Sequence, residues 1–96
     1  MAEDSGTSVR DADQKAKDHA AMLGSVSVIT SVIATHNKGS DATSEDFGHD
    51  MTHDEKKARV ARSNGYLVHM KALDDWGSES FTEIDAAISA ANSFTA

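Results

Sequence analysis

The chain has 96 residues, no Cys, no Pro and a formal net charge of −7 at pH 7. That length allows one domain, the missing Cys excludes disulfides and thiolate metal sites, and the negative charge works against general binding to nucleic acid or to anionic membrane. Leu, Ile, Val and Phe fill only 16 of the 96 positions, below the roughly 20% at which a charged chain begins to lack the apolar surface needed to fold.

Residues 1–7, MAEDSGT, read as a mobile arm, with acids where a secretion signal needs positive charge. The expectation is a soluble protein made in a cytoplasm. Ser8 followed by Asp11 resembles a helix cap with an acid in the first turn. Asp11–Lys15 and Asp13–Lys17 are i,i+4 pairs in the favourable orientation. Val9, Ala12, Ala16, Ala20 and Leu23 share a face, and Gly24 is the expected stop.

Ser25 to His36 can be read two ways. Seven of its residues are β-branched, which favours a strand. The doublets Val28/Ile29 and Val32/Ile33 are spaced by four, and strict alternation breaks at Ile29. Helix is preferred, with a strand as the alternative. Ser25 to Ala34 is also too short and too rich in Ser and Thr to span a bilayer.

From Asn37 to Met51 the composition turns to Gly, Ser, Asp and Asn, the marks of a long loop. Phe47 is its one large apolar group, expected to anchor the loop on the core. The alternative is a peg into a neighbouring subunit.

Thr52 and Glu55 form a capping box opening a helix to about Leu73. At 100° per residue, Val60, Leu67 and Val68 lie on one side with Ala61 and Ala72, and Tyr66, Met70 and Leu73 on the other. A helix apolar on two sides needs cover on two sides. Asp74 to Glu79 is a turn, and Ser80 with Glu83 gives a second capping box. Phe81, Ile84, Ile88 and Ala91 then follow at spacings of 3, 4 and 3, the pattern of a packing seam. The expected fold is mainly α: a small helical bundle over residues 8–96, with loop 37–51 and a helical hairpin over 52–96 closed by Trp76 and Phe81.

Charge is segregated along the chain. Residues 41–55 carry acids and no Lys or Arg, 56–71 carry bases and no acid, and 74–85 carry acids again. Asp74 and Asp75 follow a helix end, where a carboxylate gains nothing from the helix dipole. Their expected partners are bases elsewhere, on this subunit or a neighbour. Lys57, Arg59, Arg62, Asp74 and Asp75 are therefore the candidate charge-complementary contacts. Val60, Tyr66, Leu67, Met70, Trp76, Phe81, Ile84 and Ile88 are the candidate interface.

No nucleophile elbow, phosphate-binding loop or dinucleotide fingerprint is present in the sequence. His49 and His53 have a zinc-compatible spacing, but the capping box sets His49 ahead of the helix, which favours a solvated acidic loop. No enzyme activity, cofactor or metal is expected.

The string NGYLVHMKALDDWGSESFTEIDAAISAA, residues 64–91, resembles small proteins encoded by tailed bacteriophages, including phages of marine bacteria. The matching positions are His69 and Met70, Asp75 and Trp76, then Thr82, Ile84, Asp85, Ala86, Ala87 and Ile88. The resemblance implies a phage origin. With the thin core, it leads to the expectation of a virion structural or accessory protein held in a head or tail assembly, its partners being further copies or other virion proteins. The alternative is a small acidic inhibitor that mimics DNA or binds a host defence or transcription protein.

Overall fold

A computed structural model describes residues 10–96. The expected arm and the Ser8 cap lie outside them. Three helices pack on one another: α1 (Ala12–Lys38), α2 (His53–Lys71) and α3 (Thr82–Phe94), with a 3-10 turn (Gly39–Asp41) after α1. α2 runs antiparallel to both neighbours, as the His36–His53, Asn64–Asn92 and Lys71–Asp85 contacts require, and every pair of helices is in contact. The described residues contain no strand.

The first expected helix and the ambiguous segment are one element. α1 is capped by Asp11, whose side chain accepts from the Gln14 N–H at 2.7 Å. It runs straight through Gly24, so the expected stop is corrected. A lone glycine costs a helix only about 1 kcal/mol relative to Ala, and the flanking turns propagate across it. The strand alternative for 25–36 is also corrected, because burying Ile29, Val32 and Thr35 along one helical face overrides β-branched propensity. The helix ends at Gly39, whose φ of 56° suits a residue without Cβ.

The loop is built on Asp46. Its carboxylate accepts from the Thr43 N–H at 2.8 Å and from Lys38 Nζ at 2.6 Å. Both bonds favour the charged form and hold the carboxyl below its ordinary range, the lysine being the larger cause. Phe47 does not anchor on the core. It is 44% exposed, with the Arg59 guanidinium 5.5 Å above its ring. Contact with the bundle comes instead at Gly48, where an added Cβ would stand 3.7 Å from Val32 Cγ2.

The Thr52–Glu55 capping box forms in both directions, at 3.1 and 2.8 Å. The second box does not. Phe81 stands at the N-cap of α3 with no side-chain cap bond, and the Ser80 hydroxyl lies 3.3 Å from that of Thr82 instead. The core is Met22, Ile29 and Val32 of α1, Val60 and Leu67 of α2, Ile84, Ala87 and Ala91 of α3, and Trp76. The α2–α3 hairpin is tied by Asn64 Nδ2 donating to Asn92 Oδ1 and by the Lys71–Asp85 ion pair.

Candidate functional site

The side chains proposed for an interface divide by depth. Val60, Leu67 and Ile84 are fully buried within the chain, so α1 supplies their cover. Trp76 is 8% exposed, and Tyr66, Met70, Phe81 and Ile88 are half-buried against the same core. α2 does not split as its helical plot suggested. Val60, Leu67, Tyr66 and Met70 all turn toward the core, whereas Val68 is 51% exposed and Ala61 and Ala72 are open. Val68, Ala72 and Ile88, with Lys71, line a shallow groove between α2 and α3. His69 is exposed beside it.

The charged candidates also separate. Arg59 and Arg62 line an open groove with Met51, Glu55 and Ala58, next to exposed Phe47. Lys57 is half-buried and Asp74 exposed. Asp75 is engaged within the chain. Its carboxylate receives Arg10 Nε at 2.9 Å, Arg10 Nη2, and the Arg10 backbone N–H at 3.0 Å. The guanidinium reaches Asp18 at 2.7 Å and lies 4.2 Å above the Trp76 ring. A fork matched to a carboxylate and stacked on an aromatic is a geometry lysine cannot reproduce. Arg10 and Asp75 are only 14% and 10% exposed, and the guanidinium holds the Asp75 carboxyl well below the usual range. Lys15 Nζ donates to the Asp75 carbonyl at 3.0 Å.

Trp76 closes this end as expected. Its indole N–H donates to the Met70 carbonyl at 2.8 Å, and its ring meets Phe81 edge-on at 5.5 Å. His19 packs on both rings.

At the opposite end, His36 of α1 and His53 of α2 stack with ring centres 4.4 Å apart, and Phe94 of α3 sets its edge against them at 5.2 and 5.7 Å. Burial lowers the His36 pKa, and His53 and Lys56 add repulsion in the same direction. His49 pairs with Asp50 at 2.9 Å, apart from this stack. Among the described residues no group of three or more metal-ligating side chains comes together.

Sequence reasoning missed Arg10 and the His36–His53 pair, because no local pattern links residues so distant in the chain. It also missed how apolar α1 becomes once continuous. Ala12–Asp41 is long and apolar enough, by length and composition, to cross a membrane, and core helices pass the same test. Yet only 22% of its most apolar stretch is buried within the bundle.

No known protein family, curated protein or solved structure matches the chain.

Proposed function

We propose that the chain is a phage-encoded structural or accessory protein of the virion, held in a multi-subunit head or tail assembly by helix packing and charge complementarity. The carrying observation is the apolar surface left open between α2 and α3, with Val68 51% exposed beside Ala72 and Ile88. A chain with so few large apolar residues gains by burying each of them, at about 25 cal/mol per Å². Val68 spent on the surface is therefore support for a partner. The basic groove of Arg59 and Arg62 suits an acidic neighbour and adds register rather than energy. The phage context rests on the resemblance of residues 64–91.

The acidic-inhibitor reading has less support. Asp18, Asp46, Asp75 and Asp85 are paired with Arg10, Lys38 and Lys71, which removes them from any phosphate-like row. Mass spectrometry of purified particles tests the proposal. The chain should appear there at structural copy number, and its absence from particles removes the virion reading.

A further inference from the structure

The unpaired basic charge of this chain lies in one place. Arg10, Lys15, Lys17, Lys38 and Lys71 each reach a carboxylate or carbonyl oxygen of the chain itself. Among the described residues, the four bases of the first half of α2, Lys56, Lys57, Arg59 and Arg62, reach none. Arg59 and Arg62 point into one open groove with Met51, Glu55 and Ala58. Glu55 does not answer them, because its carboxylate accepts from the Thr52 N–H in the capping box.

A hollow of the opposite sign adjoins this groove. Its wall is the loop of residues 44–51, and Met51 belongs to both. Of the acids in that wall, Asp46 is held by Lys38, Asp50 meets only His49 of its own loop, and exposed Glu45 meets no base among the described residues. Phe47 stands on the boundary. It lines the acidic hollow, lies under the Arg59 guanidinium of the basic groove at 5.5 Å, and is 44% exposed.

The order of charge decides what fits here. A wholly anionic ligand, whether an acidic peptide or a phosphate chain, would gain at Arg59 and Arg62 but would face Glu45, Asp50 and Glu55 unanswered. The fitting surface carries acid and base side by side in the reverse order. This chain offers that surface on every copy, because a two-fold axis lying along the boundary sets each acidic hollow over the other copy's basic groove. We propose that two copies pair in this way, Glu45 and Asp50 of each on Arg59 and Arg62 of the other, with the two Phe47 rings meeting on the axis. This pairing supplies one contact of the assembly reading and rests on that reading for its biological meaning. Exposed ion pairs contribute up to about 1 kcal/mol each, so association should be micromolar or weaker.

Charge reversal of the full-length chain tests it, read by sedimentation equilibrium. Arg59→Glu/Arg62→Glu and Glu45→Lys/Asp50→Lys should each keep the helical circular dichroism signal and weaken self-association about tenfold or more. Mixed in equal amounts, the two reversed chains should recover a one-to-one dimer, since each now carries a single sign that the other matches. The loop reversal lies outside every helix, so it carries the test even if the α2 reversal unfolds. Salt should weaken the wild-type pair by screening, whereas the net charge of −7 alone would give the reverse trend. Self-association of either reversed chain at wild-type strength, or a mixture that stays monomeric, overturns the proposal. So does a wild-type monomer at several hundred micromolar; capture of a poly-glutamate peptide or a single-stranded oligonucleotide by that monomer would assign the groove to another anionic partner. A monomer that is nonetheless found in particles removes this pairing alone, whereas a charge-dependent dimer absent from particles removes the virion reading alone.

Discussion

Replacing Gly24 by Ala should raise the stability of the fold. Gly24 lies inside α1 with space around the position a methyl would take. Glycine in a helix interior is less favourable than alanine by about 0.5–1 kcal/mol, chiefly through unfolded-state entropy. With no neighbour within 4 Å, nothing in a single copy opposes the gain. For a domain of this size 1 kcal/mol corresponds to roughly 4–8 °C in Tm, so the monomer should melt about 2–8 °C higher. Thermal melts followed by circular dichroism at low micromolar concentration read the effect. A lower Tm in the dilute melt would show that the fold needs the glycine and would refute the reasoning.

Leu67→Ala, at a fully buried core position, should cost about 2–5 kcal/mol in urea denaturation, whereas Val68→Ala one residue away should stay within about 0.5 kcal/mol in the monomer. His36 should make the fold acid-sensitive. Its folded pKa lies below the unfolded value of about 6.5, so its contribution is complete above that pH and declines as pH falls toward the folded pKa. The urea midpoint should drop between pH 7.5 and 5, and His36→Gln, which keeps the size but not the charge, should flatten that drop; an equal slope in the variant would remove the His36–His53–Lys56 explanation. Asp75→Asn should release Arg10 from the Trp76 face and red-shift the emission of the single Trp, with unchanged emission counting against the latch. The wild-type Asp75 contribution is present above about pH 4 and is lost as acid lowers the pH toward the depressed folded pKa.

Local signals carried well from sequence to structure. The Thr52–Glu55 box, the Trp76–Phe81 closure and the buried Ile84–Ala91 spacing each depend on residues a few positions apart. The readings that failed were those in which local preference was overruled. Gly24 looks like a break, yet burial of Met22, Ile29 and Val32 on α2 and α3 keeps the helix continuous across it, and the preferred helical reading of residues 25–36 holds against their β-branched propensity. Ser80 and Glu83 have the residue types for a cap, but the chain enters α3 through Phe81, which stays packed on Trp76. Arg10 and Asp75 are 65 positions apart, and no one-dimensional pattern pairs them. The candidate surface was half legible. The two-sided character of α2 was visible, but which apolar residues face the core depends on where α1 lies, and that follows from the three-helix packing.

The most direct test of the account is sedimentation velocity of the purified chain from about 1 to 500 micromolar. An assembly subunit should shift from monomer to larger species across that range, with Tm rising as concentration rises. A single monomeric species throughout, melting at a temperature independent of concentration, would contradict it.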